Sequence, residues 1–332
     1  MTTAASRGRR ACVSGGNGYV ASLLVKKLLD RGYIVNATVR DPGNPAKVSH
    51  LLDLPGSERL KLFKADLTVE GSFDDPINGC EFVFHAATPI IIDSKDPVND
   101  MINPAVGGTL NVLRSCAKTK TVKRVVLTSS LAAVCRDLEK EEGSVLTEEC
   151  WSNVEFLFSA KPPNWGASKT LAEKEAWKFA AENQIDLISV APVRVGGPSL
   201  TKEGPNSTAL ALSLFTGKEF ALKSLQLASG SISLVHVDDV CRAHIFVAEK
   251  ESACGRYICS AAGTTVPELA KFLSNRYPQY KVPTDFGDFP WMPKYPASSE
   301  KLIKEGFTFR FGIEEIYDDS VEDFQAKGLL PV

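Results

Sequence analysis

A hydroxyl pair and a lysine are the residues of this chain best placed to move a proton. Thr128-Ser129-Ser130 ends an apolar run, and Ser168-Lys169-Thr170-Leu171-Ala172-Glu173 opens a helical pattern further along. A serine hydroxyl at the end of a strand can polarise a substrate oxygen; its competing role is in a turn or a cap. The Lys169 ammonium on the following helix would lie beside the ribose of a bound cofactor. A third run, Gly15-Gly16-Asn17-Gly18-Tyr19-Val20-Ala21, sits between an apolar strand pattern and a helical one. Glycines there let the backbone turn tightly and approach a pyrophosphate, and the helix start offers N–H groups and a positive dipole. Gly15, Asn17, Gly18, Tyr19 and Val20 are the expected phosphate contacts; the bland alternative is a tight strand–helix turn.

The next strand pattern ends at Val39-Arg40-Asp41, where a dinucleotide fold reads the adenosine ribose. A carboxylate would accept from a free 2′-hydroxyl, whereas a guanidinium suits a 2′-phosphate. Arg40, with Lys47 on the following helix, therefore favours NADPH over NADH; the bland alternative is two solvated surface cations. Asp66-Leu67 follows the third strand, where a carboxylate could meet the adenine amino group. Ala86-Ala87-Thr88 follows the fourth, where small residues let a cofactor lie against the backbone. Thr128, Ser129 and Lys169, then Pro192, Val193, Val195 and Ser207, complete the expected cofactor set. These residues fall at successive carboxyl ends of strands, the edge at which open α/β sheets bind ligands.

Hydrophobic periodicity supplies the elements that must position them. Strand patterns cover 10–14, 33–39, 60–65, 81–86, 122–128 and 185–191; helical patterns cover 19–30, 45–53, 97–118 and 169–183. Strands separated by helices at this spacing predict an α/β fold, a Rossmann-type doubly wound parallel sheet. Glycine–proline punctuation after residue 195 marks a smaller, mostly C-terminal substrate part. The expected division is 9–195 plus about 231–250 for the NADP-binding domain, and 196–230 with 251–332 for the substrate-binding part.

Composition removes other classes. Hydrophobic residues make up 44% and charged residues 23%, an ordinary globular balance, and the net charge of -2 argues against a nucleic-acid surface. No apolar run is long enough for a membrane span, and MTTAASRGRR lacks the apolar core of a secretory signal. Eight cysteines without a C-x-x-C pair read as reduced thiols of a cytoplasmic protein, and four scattered histidines give no metal-ligand spacing. His85 reads as a packed residue behind the cofactor loop. Asp238 and Asp239 read as first-turn charges of a helix, Trp177 and Phe179 as core, and Glu139–Glu142 as a solvated run.

Several strings are specific: Thr38-Val39-Arg40-Asp41-Pro42, Lys47-Val48-Ser49-His50-Leu51-Leu52, Ser168-Lys169-Thr170-Leu171-Ala172-Glu173 and Arg256-Tyr257-Ile258-Cys259-Ser260. With Thr128-Ser129-Ser130 they resemble the dihydroflavonol reductase–anthocyanidin reductase group of the extended short-chain dehydrogenase/reductase superfamily, a resemblance running from about Arg10 to Leu330. It implies a plant enzyme of flavonoid biosynthesis that takes a small flavonoid substrate and NADPH. By the same resemblance Ser130 and Lys169 are catalytic, while Ser130, Cys135 and Trp165 face substrate. The group's tyrosine, four residues before the lysine, is replaced by Trp165, as if two residues were deleted from the run ending in Ser168-Lys169. Indole donates a hydrogen bond but is no phenolic acid. Dihydroflavonol reductases carry an asparagine where this chain has Cys135, so the resemblance favours reduction of anthocyanidins to flavan-3-ols over dihydroflavonol 4-reduction. A third possibility is an inactive NADPH-binding homologue.

Overall fold

Strand β1 (Arg10–Ser14) is buried at every residue but the first because it lies inside a sheet covered on both faces, and its centre is Ala11-Cys12-Val13. In a computed structural model, which describes residues 8–89, 95–134, 143–159, 165–216, 231–286 and 295–331, the chain divides into two units. The first comprises Met1–Arg136, Trp151–Ala191 and Cys241–Tyr257. Its strands are β1, β2 (Ile34–Val39), β3 (Leu60–Lys64), β4 (Phe82–His85), β5 (Arg124–Thr128), β6 (Leu187–Pro192) and β9 (Gly255–Cys259). They form one sheet of order β3-β2-β1-β4-β5-β6-β9, parallel in every pairing from β3 to β6. The order reverses between β1 and β4, and there Ser14 pairs with His85 at the carboxyl ends.

Helix α1 (Tyr19–Asp30) buries Ala21, Leu24, Val25, Leu28 and Leu29, one stripe at helical spacing. It stops where Gly32 takes φ +82°, with Gly32 N–H on the Leu29 carbonyl and Tyr33 N–H on that of Leu28. Helices α2 (Pro45–Leu52) and α3 (Asp74–Ile77) follow, then α4 (Asn103–Lys118), α5 (Val154–Ser159) and α6 (Trp165–Glu182). The helical pattern over 97–118 divides into a π-turn at Val98–Ile102 and then α4, because Pro104 has no N–H to continue a regular ladder. Helix α6 begins at Trp165, before the expected 169, so Trp165 and Lys169 share one helical face.

The second unit comprises Asp137–Cys150, Pro192–Val240 and Ile258–Val332. Strands β7 (Arg194–Gly196), β8 (Ile232–His236) and β10 (Ala262–Thr264) make its three-stranded sheet, order β10-β8-β7. Its core gathers Leu234, Leu269, Leu273, Ile316, Tyr317 and Phe324. Ser231–Val240 belongs to this unit and Cys241–Tyr257 to the first, so the chain's return comes later than the 231–250 read from the sequence. Asp239 is not merely a first-turn charge: its carboxylate accepts the N–H groups of Arg310 and Phe311.

Two neighbouring glycines of α4 give a direct packing test. A Cβ on Gly108 would stand 2.6 Å from the Leu67 Cβ, whereas one on Gly107 meets nothing within 4 Å. Gly107→Ala should stabilise by up to about 1 kcal/mol through helix propensity. Gly108→Ala should destabilise by about 1–3 kcal/mol through overpacking. Urea denaturation of the two variants checks the opposite signs.

Candidate active site

The glycine turn is tied to β2. Gly16 N–H donates to the Thr38 carbonyl at 2.8 Å and Gly15 N–H to the Thr38 hydroxyl at 3.2 Å. Gly15 has φ +67°, and a Cβ there would stand 3.0 Å from the Ala87 Cβ; one on Gly16 would stand 2.8 Å from the Ala37 Cβ. The first backbone bond of α1 runs from Ser22 N–H to the Gly18 carbonyl, at 2.8 Å. The amides of Val20 and Ala21, which precede it, thus have no intrahelical acceptor and carry the positive end of the dipole. A close-approach turn leading into such a helix start fits the pyrophosphate of a dinucleotide.

Facing it is the Ala86-Ala87-Thr88 corner, held by a residue the sequence reading passed over. The buried Ser14 hydroxyl accepts N–H from Ala86 at 3.1 Å and from Ala87 at 3.0 Å. With both lone pairs used, its proton goes to His85 Nδ1, 2.8 Å away. His85 therefore carries its proton on Nε2, which donates to the Thr109 hydroxyl at 3.1 Å. Burial, and then the Lys169 charge, push this imidazole down to about 3. A serine closing β1 was the available signal, since a strand-end hydroxyl reaches the amides of the next strand end.

At the end of β5, Lys169 Nζ donates to the Thr128 carbonyl at 2.9 Å, and the Thr128 hydroxyl bonds His244 Nε2 at 2.8 Å. Lys169 is 7% exposed; burial pulls its ammonium down to about 8, opposed by the charge of Glu173. Its Nζ lies 5.6 Å from the centre of the Trp165 ring, a cation–π contact. The indole N–H of Trp165 is buried and has no hydrogen-bond partner among the described residues. Ser129 N–H donates to the Val190 carbonyl. The Ser130 hydroxyl accepts Ala132 N–H at 3.1 Å, capping the turn Leu131–Ala133 while its own proton stays outside that bond.

The remaining expected residues are more dispersed. Arg40 and Lys47 are exposed, Arg40 at the end of β2 and Lys47 on α2. Asp66 accepts the Thr68 N–H at 2.8 Å and hydroxyl at 2.7 Å, which with the Arg40 charge hold it below the usual carboxylate range. The Leu67 carbonyl accepts from Asn111. Pro192, Val193, Val195 and Ser207 belong to the second unit, where Val195 N–H donates to the Ser207 hydroxyl and that hydroxyl donates to the Val195 carbonyl. Cys135 and Glu139–Glu142 lie outside the described residues. Trp177 and Phe179 pack against the core of the first unit, and burial pushes the Cys80 thiol up to about 12. Among the described residues no group of side chains has a metal-binding arrangement, and no helix is long and apolar enough to cross a membrane.

A glycine turn, a serine pair and a buried lysine thus lie at the carboxyl edge of one parallel sheet. The model of the NAD dependent epimerase/dehydratase family matches residues 11–258. The chain belongs to that family. Anthocyanidin reductase ((2S)-flavan-3-ol-forming) of Vitis vinifera is 64% identical over 327 residues, 97% of each chain. Dihydroflavonol 4-reductase of Arabidopsis thaliana is 46% identical, covering 98% of this chain and 85% of its own. Vestitone reductase of alfalfa superposes with a TM-score of 0.84 at 36% identity, over 97% of this chain and 99% of its own. Yeast methylglyoxal/isovaleraldehyde reductase Gre2, complexed with NADPH, gives 0.80 at 27% identity, over 97% and 100%. The resemblance drawn from short strings thus extends along nearly the whole chain.

His85 makes stability pH-dependent with a definite sign. Its pKa is about 6.5 unfolded and about 3 folded, so below 6.5 the unfolded chain binds the extra proton. Its contribution is complete above pH 6.5 and is lost as pH falls towards 3. Between pH 7 and 5 the loss is roughly 2 kcal/mol, at about 1.36 kcal/mol per unit. Urea unfolding at both pH values should show that loss in the wild type and its absence in His85→Gln, which keeps a donor and an acceptor.

Proposed function

We propose that this chain is an NADPH-dependent reductase that takes anthocyanidins to flavan-3-ols, slowed by the absence of a phenolic acid. The observation that carries the reductase reading is the Lys169 ammonium on the Thr128 carbonyl, beside Ser130, at the carboxyl end of β5. The substrate class is supported by the 64% identity to an anthocyanidin reductase, against 46% to a dihydroflavonol reductase. The glycine turn and the amides of Val20 and Ala21 would hold the pyrophosphate, and Arg40 with Lys47 the 2′-phosphate. Ala86 and Ala87, with Lys169, would line the nicotinamide end. The bound cofactor supplies hydride. Taking a flavylium cation to a flavan-3-ol consumes two hydrides and one proton, so the protein's task is to orient the ring and deliver that proton. Ser130 would hydrogen-bond a substrate oxygen, and Lys169 would order the ribose. By the resemblance Trp165 would take the place of the phenol four residues before Lys169, and its ring lies 5.6 Å from the ammonium.

Cofactor choice is tested at Arg40. A charge-assisted contact to phosphate contributes about 1.5–3 kcal/mol. Arg40→Ala should therefore weaken NADPH binding by about one to two orders of magnitude and NADH binding much less. Calorimetric titration of both cofactors checks it; equal losses sink the 2′-phosphate assignment.

Trp165 is tested by restoring the acid. General acid catalysis is worth about 10²–10⁴-fold, or roughly 3–5 kcal/mol of barrier. Wild-type protein should bind NADPH yet reduce cyanidin slowly in a single turnover. Inserting Tyr-Pro after Gly166 should accelerate it more than Trp165→Tyr alone, because only the insertion restores the missing length. Equal rates for wild type and insertion variant would show that the flavylium cation needs no phenol. Clear preference of the NADP-loaded protein for dihydroquercetin over cyanidin would reverse the substrate assignment.

A further inference from the structure

Glu173 lies one helical turn beyond Lys169, and only 1% of it is exposed. Its Oε1 accepts the Ser189 hydroxyl at 2.6 Å, Arg256 Nε at 2.7 Å and the Trp177 indole N–H at 3.3 Å. Its Oε2 accepts the Ser129 hydroxyl at 2.5 Å. Arg256 and the indole can only donate, so Oε1 is an acceptor, shared by three donors while Oε2 meets the Ser129 hydroxyl. The Arg256 guanidinium is fixed in turn, 3.5 Å above the centre of the Trp151 ring. A fully buried ion pair seldom repays its desolvation as net stability. One that grips the residue before Ser130 and sits a turn from Lys169 has another use.

We propose that Glu173, clamped by Arg256, is the positioning residue of this site: it fixes the Ser129–Ser130 corner and is the counter-charge that keeps Lys169 an ammonium. The proposal rests on reading Lys169 and Ser130 as the reacting pair. Ser129 is held from both sides, its amide by the Val190 carbonyl and its hydroxyl by Glu173, so the corner has no freedom to turn Ser130 away. Glu173 is the charged group that supports the Lys169 ammonium against burial. His85 on β4 is neutral by its hydrogen bonds, and His244 reaches the Thr128 hydroxyl rather than the ammonium. Helix α4, packed on α6, engages Arg114 with Asn111 and Lys118 with Asp74. Arg256, bonded to the same carboxylate at 2.7 Å, partly offsets that charge. Removing Glu173 and removing Arg256 must therefore move the Lys169 proton in opposite directions, a sign pattern that simple loosening of the core does not produce.

The test follows the proton directly. Acetylation of Lys169 by acetic anhydride is measured by peptide mass spectrometry between pH 6.5 and 10.5 and normalised to an exposed lysine, and amide exchange is followed over Ser129–Ala132. The wild-type midpoint should lie near 8. Glu173→Gln should lower it by about one pH unit, Arg256→Met should raise it, and Ser129→Ala should leave it in place. Exchange at the corner should quicken in Glu173→Gln and Ser129→Ala. Ser189→Ala, which keeps both the charge and the corner bond, should match wild type in both readouts. An unmoved midpoint in Glu173→Gln, or shifts of one sign in the Glu173 and Arg256 variants, overturns the proposal. If Glu173→Gln fails to fold, the upward shift of Arg256→Met still decides, because an unmoved midpoint there overturns it equally. The labelling needs neither cofactor nor substrate, so failure of the reductase reading would show separately, as absence of NADPH binding.

Discussion

A buried ammonium is the constraint on which the first unit turns. Taking a lysine out of water costs several kcal/mol unless its charge and donors are met. At Lys169 they are met by a strand-end carbonyl, the face of Trp165 and the carboxylate a turn away. Each demands something of the fold. The Thr128 carbonyl is available because β5 stops there, and its hydroxyl is pinned by His244. The helix must also come close to the sheet. The buried face of α6 permits this, being built from Gly166, Ala167, Ser168, Thr170, Ala172, Ala176 and Ala180. Larger residues on that face would lift the lysine away from the carbonyl.

The other half of the site obeys the same economy of donors and acceptors. At the switch point between β1 and β4 the chain must break off pairing and still satisfy the amides of Ala86 and Ala87. Ser14 does so with one oxygen, and the consequence passes through His85 to Thr109 without a free group along the way. A protonated His85 would have no acceptor for its Nδ1 proton, so the relay excludes a second positive charge close to Lys169. Polar saturation and charge separation are achieved by one arrangement.

Much of this was legible in the sequence because hydrophobic period and glycine chemistry are local. The βα rhythm from Arg10 to Pro192, the turn at Gly15 and the lysine helix all follow from spacing over a few residues. What escaped was non-local. Ser14 and Glu173 are ordinary residues until β4, β6 and β9 bring Ala86, Ser189 and Arg256 against them. The π-turn before α4 was masked because its apolar spacing continues through Pro104. The late return at Cys241 was hidden because Ser231–Glu249 reads as one continuous strand–helix stretch, and which unit its β8 residues pair with depends on distant β7 and β10. The strings shared with the reductase group carried the functional reading further than physics alone, since Trp165 has meaning only beside a lysine helix in which a tyrosine is expected.

On the proposed reading, the electrostatics of the substitution favour indole over other replacements. A flavylium ring brought beside an ammonium suffers like-charge repulsion of roughly 3 kcal/mol at about 6 Å and an effective dielectric near 20. The Glu173 carboxylate, one helical turn from Lys169, opposes that repulsion by supporting the ammonium. The negative π-face of Trp165 adds to that support. An aliphatic residue at 165 would leave the ammonium facing hydrocarbon, and a carboxylate would compete with Thr128 for it. Indole keeps the charge of Lys169 in place and the pocket apolar for an aromatic ring. It gives up only the transferable proton, which is the loss a cationic acceptor tolerates better than a neutral ketone.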